Sequence, residues 1–257
     1  MAAMTRIPTC AGPDSVAIDQ ERGRVVVSCA LQASIEIVPL ARRDWEKTER
    51  IDFAPMPDGS IARGRAIFFH SGDARIAADG RACASCHVEG GSDGLVWSTP
   101  NGMRNTKSLA GRGSSGPFGW KGESATLEAH IARTIRVNLG GRGLPKRDLD
   151  DLAAYVASIP APPAAKMPAE HGRELFVQRD CVLCHDGARS DGERHDVGGG
   201  KFLTPSLAGV AHSGPYFHDG RYASLETLLD KTSGKMGSGD PLGPEDRDAL
   251  AAYLRTL

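Results

Sequence analysis

Two short motifs hold the residues best suited to chemistry in this chain. Their reactive residues are Cys83, Cys86 and His87 in the first motif and Cys181, Cys184 and His185 in the second. Two thiols one helical turn apart can each form a thioether bond to a vinyl group of haem, and the adjacent histidine can bind the iron. The pattern therefore predicts two covalently bound c-type haems, with His87 and His185 as iron ligands.

Pairs of Cys-x-x-Cys are also typical of structural zinc sites, in which four ligands surround one ion. Here the two pairs begin 98 residues apart, at Cys83 and Cys181, and each pair is followed by its own histidine. This arrangement favours haem over zinc.

The sixth iron ligand decides what each haem does, because a filled position favours electron transfer and an open one lets small molecules reach the metal. Met236 stands in the loop before the last predicted helix and is the candidate sixth ligand of the second haem. The matching residue of the first copy is Asn138, whose amide is a poor ligand. The first iron is therefore either open or bound from elsewhere, with His130 and Met103 as candidates.

His130 is the more interesting of these two candidates. It stands where the second copy has Leu228, so a titratable group replaces an apolar one. A neutral imidazole can bind iron or serve as acid and base toward a bound peroxide. The alternative is an ordinary surface histidine.

The elements around the motifs repeat at the same offset of 98 residues. Matching segments are Thr106–Gly111 with Thr204–Gly209, Gly116–Phe118 with Gly214–Tyr216, and Asp150–Tyr155 with Asp248–Tyr253. Before its cysteines the first copy carries ten additional residues, His70 to Asp79. The proline-rich segment 159–165 separates the copies, since proline blocks helix formation. We predict one domain over 59–160 and a second over 161–257.

Local signals within the copies predict helices. Ser124 is a candidate cap for a helix through Leu127 and Ile131, and Pro244 opens a last helix. Residues 1–58 differ, because three β-rich runs near 16–19, 24–28 and 34–38 alternate with turn residues. This segment is either a single β-propeller blade or, as we favour, a β-hairpin. The predicted fold is mainly α-helical, with two tandem class I cytochrome c-like domains behind a short β segment.

Composition limits the classes of partner. The formal net charge of −1 argues against a nucleic-acid partner, and no apolar run is long enough to cross a membrane. Because haem is attached to such proteins outside the bacterial cytoplasm, we expect a periplasmic protein whose leader or upstream region is absent from this numbering. The two remaining cysteines, Cys10 and Cys29, form either a disulfide or two free thiols.

The second copy carries a longer signature, whose segments are Thr204–Val210, Gly214–Gly220 and Leu225–Glu226. With the haem motifs, it resembles the bacterial di-haem cytochrome c peroxidases and the MauG-like enzymes from about Gly64 to Leu257. The resemblance implies that peroxide reacts at the first haem and that a small donor protein, a cytochrome c or a cupredoxin, supplies electrons to the second. It implies that Trp120 conducts electrons between the haems and that Asn105, Ser213 and Pro215 surround a calcium ion. Oligomers are compatible with it.

Two departures from the family stand out. Residues 88–104 lack the loop histidine that binds the first haem in resting peroxidases, which argues for an open first iron. The family's distal carboxylate would fall near Gly140, where no acid lies close in sequence, while His130 matches the distal glutamine. We lean toward an enzyme that reduces hydrogen peroxide. The alternatives are a pure electron-transfer subunit of a dehydrogenase complex and an enzyme that oxidises Trp or Tyr of a partner protein.

Overall fold

The computed structural model describes residues 7, 9–10, 12–53, 59–113, 116–187 and 189–257. The helices of this described part are α1 Ser60–Phe69, α2 Leu127–Arg133, α3 Lys146–Ser158, α4 Glu170–Gln178, α5 Leu225–Lys231 and α6 Pro244–Leu254. Its strands are β1 Pro13–Asp19, β2 Arg24–Cys29, β3 Ser34–Pro39, β4 Glu49–Asp52, β5 Val96–Thr99, β6 Gly102–Asn105, β7 Arg194–Asp196 and β8 Lys201–Leu203. Helices hold more of these residues than strands do.

The N-terminal segment forms a four-stranded antiparallel sheet in the order β1-β2-β3-β4. The preferred hairpin interpretation is therefore wrong, because β4 adds a strand that short sequence runs did not reveal. Four antiparallel strands in chain order are also the architecture of a propeller blade. The origin of the segment in a propeller stays a prediction.

The structure resolves the alternatives for the two extra cysteines. Cys10 and Cys29 are joined by a disulfide with their Cα atoms 5.8 Å apart, a common separation for such bonds. Cys29 is fully buried at the end of β2. The bond ties the chain before β1 to the sheet interior.

Each copy of the repeat packs an early helix against a late one, α1 on α3 and α4 on α6. Glycine permits both contacts: a Cβ at Gly64 would collide with the backbone oxygen of Asp151, and one at Gly172 with that of Ala249. The helices can approach closely because no side chain separates them. The matched glycines upstream of the two motifs thus have a packing function.

Two separate apolar cores surround these helix pairs. The first is centred on Phe68, Leu152 and Val156, and the second includes Leu175, Phe176, Leu225, Leu250 and Leu254. Both are small for the length of chain they serve. Residues of both cores also line the two cavities described below.

Equivalent positions of the two copies exchange matching backbone hydrogen bonds. The amide of Asn105 donates to the carbonyl of His218 at 2.9 Å, and the amide of Leu203 donates to that of Trp120 at 3.0 Å. The offset of 98 residues relates Asn105 to Leu203 and Trp120 to His218. The copies therefore meet along a pseudo-symmetric contact, although the domain boundaries stay a prediction.

The helices begin close to the predicted positions, with one correction. Thr126, rather than Ser124, caps α2 by accepting a hydrogen bond from the amide of Ala129, while Ser124 pairs with Phe118 in a β-bridge. Ser224, 98 residues after Thr126, caps α5 in the same way. Helix α6 starts at Pro244 as predicted.

The ten-residue insertion of the first copy packs on the segment that follows α2. The amide of Ala78 donates to the carbonyl of Leu139, and the amide of Arg142 donates to that of Ala74. Ile76 and Ala77 of the insertion are fully buried. None of the helices in the described ranges combines the length and apolar character needed to cross a bilayer.

Candidate haem cavities and their shared wall

The first motif lies on the wall of a cavity of about 340 Å³. Residues Cys83–Ser85 form a tight helical turn, and the amide of His87 donates to the carbonyl of Cys83 at 3.0 Å. This turn brings Cys83, Cys86 and His87 to the same cavity. Such an arrangement lets two thioethers and one iron ligand act on a single haem.

His87 has the protonation pattern that an iron ligand needs. Its Nδ1 faces the carbonyl oxygen of Gly91 at 3.3 Å, so donation of the Nδ1 proton leaves Nε2 as a free lone pair. Burial lowers the pKa of the imidazole and keeps it neutral. A neutral ring is the form that binds a metal.

The second motif lies on the wall of another cavity, of about 300 Å³. Cys181, Cys184 and His185 line it, again from a short helical turn, Cys181–Leu183. Burial lowers the pKa of His185 to about 4. The two motifs thus present equivalent chemistry to two cavities.

Met236 also lines the second cavity. The loop that carries it is held against the second motif, because Ser238 donates from its amide to the carbonyl of Arg179 at 2.9 Å and from its hydroxyl to Asp180 at 2.6 Å. The Arg179 side chain in turn donates to the carbonyl of Asp240. The loop is therefore fixed against the second motif, with Met236 on the wall of the same cavity as His185.

The cysteine pairs do not form a joint zinc site. They line different cavities, and among the described residues no cluster of metal-binding side chains contains two motif cysteines. The zinc alternative is not supported.

The buried guanidinium of Arg112 is an observation that bears on whether haem, which carries anionic propionates, fits these cavities. Arg112 lines both cavities, and its Nη2 donates to the carbonyl of Ala208 at 2.7 Å. Within the described ranges, no carboxylate pairs with this guanidinium, and burial lowers its pKa to about 10. A buried charge calls for a partner of opposite sign. The propionates of haem would supply one.

His130 lies on the wall of the first cavity, at a distance of 6.3 Å from the stacked ring of Phe118. Its Nδ1 is buried and has no hydrogen-bond partner in the part of the chain that the structure describes. Burial, followed by the positive charge of Lys107, lowers the imidazole pKa to about 4. The ring is therefore neutral and has an unused polar atom.

Glu123 is a functional candidate that the sequence did not reveal, because the family's distal carboxylate was expected near Gly140, whereas Glu123 lies close to His130 in the fold. Both side chains line the first cavity. Both side chains also contact Gly119 closely. A Cβ atom added to Gly119 would collide with Glu123 Oε2 and would lie 3.3 Å from His130 Cε1, so the carboxylate and the imidazole are near each other. Their spacing of seven residues, two turns along a helix, was the available signal, but Glu123 precedes α2.

The other candidates for the first haem's sixth position are less suitable. Met103 lies in β6, 49% exposed, and is not among the residues that line the first cavity. Asn138 does line the cavity and ends a π-helical turn, Thr134–Asn138, that continues α2. Such turns are frequent at functional sites.

Trp120 stands in the wall that the two cavities share. Its Nε1 donates to the carbonyl of Asn105 at 3.1 Å. Lys107, which also lines both cavities, places Nζ 4.3 Å from the centre of the Trp120 ring and donates to the carbonyl of Gly119 at 3.2 Å. An indole and an ammonium thus separate the two candidate haem sites.

The residues expected to surround calcium are only partly brought together. The Asn105 amide contacts the carbonyl of Pro215, and its Oδ1 is buried without a partner among the described residues. The hydroxyl of Ser213 donates instead to the carbonyl of Val210 at 3.0 Å. Asn105 and Pro215 are therefore the stronger pair.

Comparisons with known proteins find a cytochrome c family model and peroxidase relatives. Residues 169–257 match the family model described as Cytochrome c. A cytochrome-c peroxidase of Pseudomonas sp. (strain SCT) is 24% identical, covering 92% of this chain and 93% of the relative. The methylamine utilization protein MauG of Methylorubrum extorquens is 26% identical, covering 98% of this chain and 90% of the relative.

Two solved structures share the fold. A chain of hydrazine synthase from Kuenenia stuttgartiensis superposes with a TM-score of 0.70 at 20% identity, covering 79% of this chain and 89% of that chain. A MauG-like protein associated with microbial copper homeostasis superposes with a TM-score of 0.62 at 21% identity, with the same coverages. The predicted resemblance to the di-haem peroxidases and MauG is confirmed by the curated relatives.

Proposed function

We propose that this c-type haem oxidoreductase, a relative of the cytochrome-c peroxidases and of MauG, reduces hydrogen peroxide in the first cavity. In this proposal, electrons enter through the second cavity and cross at Trp120. The observation that carries it is the asymmetry of the cavities. The first presents His130 and Glu123, and the second presents Met236.

The residues of the first cavity are suited to moving protons. Haem, when bound through Cys83, Cys86 and His87, supplies the iron and the electrons that peroxide reduction needs. Reduction of one peroxide to two waters consumes two electrons and two protons. The neutral ring of His130 takes the proton from one peroxide oxygen and delivers it to the other, while Glu123 beside it exchanges protons with the ring.

The second cavity is suited to taking in electrons. Met236 is the proposed sixth ligand of the iron bound by His185, and methionine ligation raises a haem's reduction potential. The proposed donor is a small cytochrome c or cupredoxin. Trp120 is the proposed conduit because its ring lines both cavities.

We further propose a calcium ion at Asn105 and Pro215, near the contact between the copies. Rotation of the Asn105 amide by half a turn would direct Oδ1 and the carbonyl of Pro215 at one point, where oxygen ligands favour calcium. Removal of calcium by a chelator should then change the haem spectrum, and added calcium should restore it. A periplasmic location is supported by the Cys10–Cys29 disulfide.

The direct test is the low-temperature electron paramagnetic resonance spectrum of the oxidised protein, with and without hydrogen peroxide. We expect a high-spin signal from the first haem that disappears when peroxide is added. Two low-spin signals that do not respond to peroxide would contradict the proposal and would indicate a pure electron-transfer subunit.

A second candidate function is oxidation of Trp or Tyr in a partner protein. The similarity to MauG over 98% of this chain favours it. Turnover of peroxide with reduced small donor proteins supports the first function. Slow turnover with those donors, together with a peroxide-dependent mass change in a co-purifying protein, would support the second.

A further inference from the structure

Two tryptophans line the first cavity, and each lies beneath a positive charge. The ammonium of Lys107 is 4.3 Å from the centre of the Trp120 ring, and the guanidinium of Arg81 is 4.8 Å from that of Trp97. Both contacts are cation–π interactions, which stabilise a neutral ring. Only Trp120 also borders the second cavity.

The two indoles differ in what accepts their N–H hydrogen bond. Trp97 donates to the carboxylate of Asp93 at 2.9 Å, whereas Trp120 donates to the backbone carbonyl of Asn105 at 3.1 Å. A carboxylate can take up a proton, but an amide carbonyl has no appreciable basicity. When Trp120 loses an electron it therefore keeps its proton and becomes a cation, whereas Trp97 can pass its proton to Asp93.

We propose that the Lys107 ammonium raises the oxidation potential of Trp120, so that electrons pass through this indole without an oxidised Trp120 accumulating. Lys107 is thus a positioning residue for the electronic state of Trp120. This inference rests on the proposed function, because peroxide must provide the oxidant in the first cavity. One electron leaves Trp120 for that oxidant, and one electron from the donor side replaces it.

The ammonium of Lys107 lies close to the Trp120 indole and is not neutralised by an ion pair within the described residues. Its only hydrogen bond recorded for the described residues is to the carbonyl of Gly119, and no carboxylate there forms an ion pair with it. Burial lowers the pKa of Lys107 to about 8, which leaves the ammonium charged at neutral pH. At 4.3 Å and an effective dielectric constant of about 20, the repulsion of two unit positive charges corresponds to roughly a several-hundredfold change in an equilibrium constant. The opposing charge of Glu123, which also acts on Lys107, reduces this effect, so about tenfold is a lower bound.

The test compares variants of the haem-loaded protein after a brief exposure to peroxide. Radicals centred on tryptophan are measured by electron paramagnetic resonance of freeze-quenched samples, and oxidised Trp120 is measured by peptide mass spectrometry. For Lys107→Met we expect a roughly tenfold increase in both signals. Lys107→Arg keeps the charge and should resemble the unmodified protein, which separates charge from packing.

Two further variants serve as controls. The double variant Lys107→Met with Trp120→Phe should lose the added radical. Arg81→Met removes the cation over Trp97, and because Asp93 accepts the indole proton, we expect a clearly smaller increase in oxidised Trp97. Covalent haem content, measured by absorbance, shows that each variant has folded and matured.

The outcomes separate this inference from the proposed function. If the Lys107→Met variant accumulates no more oxidised Trp120 than the unmodified protein, or if only its haem potentials change, the inference about Lys107 is wrong. This holds even if Trp120→Phe slows electron transfer between the haems. If Trp120→Phe leaves that transfer unchanged, the conduit is wrong. The extent of Trp120 oxidation in Lys107→Met still decides the role of Lys107 in that case.

Discussion

The two cavities contain the same turn, the same cysteine spacing and the same motif histidine, yet other residues that line them differ. Leu139, on whose carbonyl the insertion 70–79 packs, lines the first cavity, and no methionine among the described residues lines it. In the second, a loop held by Arg179 and Ser238 carries Met236 into the cavity. The duplicated unit has thus kept the Cys-x-x-Cys-His motif and changed other residues that line the cavity.

The change is concentrated at equivalent positions. His130 corresponds to Leu228, Glu123 to Arg221 and Asn138 to Met236. In the first two pairs, a group that can exchange protons with peroxide in the first copy is replaced in the second. In the third pair, the poor iron ligand Asn138 corresponds to the good ligand Met236. Under the proposed function, the shared motif identifies the cofactor, and the residues that differ between the cavities separate catalysis from electron transfer.

The largest expected effect comes from removing the proximal ligand of the reactive side. We expect His87→Ala to abolish the reaction with peroxide, because the first iron loses its only protein ligand. Stopped-flow absorbance measures the reaction. The matched change His185→Ala should instead block reduction by the donor while the isolated first site still reacts with peroxide, and equal behaviour of the two variants would contradict the division of labour.

The next effect concerns the residues that distinguish the first cavity. His130→Leu installs the residue of the second copy and should slow the reaction with peroxide by roughly 10²- to 10⁴-fold, the usual contribution of acid–base catalysis. Glu123→Gln should act in the same direction but less strongly, since His130 remains. Unchanged kinetics in both variants, measured by stopped flow with spectra recorded as a control for haem environment, would make these residues bystanders.

A moderate effect is expected at the second cavity. Met236→Leu should lower the reduction potential of the second haem and change its low-spin spectrum, because a sulfur ligand is lost. Potentiometric titration followed by absorbance measures this. Met167→Leu, at an exposed methionine, is the control, and identical potentials in the two variants would refute the ligand assignment.

The smallest effect is a pH dependence. Because burial holds the folded pKa of His130 at about 4, the ring stays neutral at pH 7 and its contribution to the peroxide rate should fall only as pH decreases through about 4. The unfolded chain binds this proton near pH 6.5, so His130 also makes the protein less stable as pH falls from about 6.5 to 4. In Lys107→Met the rate midpoint should move upward, since a positive charge is removed, and an unmoved midpoint would argue against His130 as the titrating group.

The sequence by itself determined the parts of the site that are local in the chain. Two thiols and a histidine within five residues predict haem attachment whatever the fold, and the offset of 98 residues reveals the duplication and the contrast of Met236 with Asn138. Helix α6 was predictable because proline at its start is a local signal. The fourth strand of the N-terminal sheet was missed because its pairing with β3 joins distant segments. The cap was assigned to Ser124 instead of Thr126 because the sequence does not show that Ser124 pairs with Phe118.

Only the tertiary structure decided which distant side chains share a wall. Glu123 was overlooked because it lies before α2, where the seven-residue spacing to His130 is not a helical relation, and the two come together only through the fold of the Gly119 loop. The contact of Lys107 with Trp120 spans thirteen residues, and the shared wall joins segments about a hundred residues apart. Spacing along the chain predicts only contacts within one turn, such as those of the Cys-x-x-Cys-His motif. Burial, the pairing of charges and contacts between distant segments are decided when the two copies pack together.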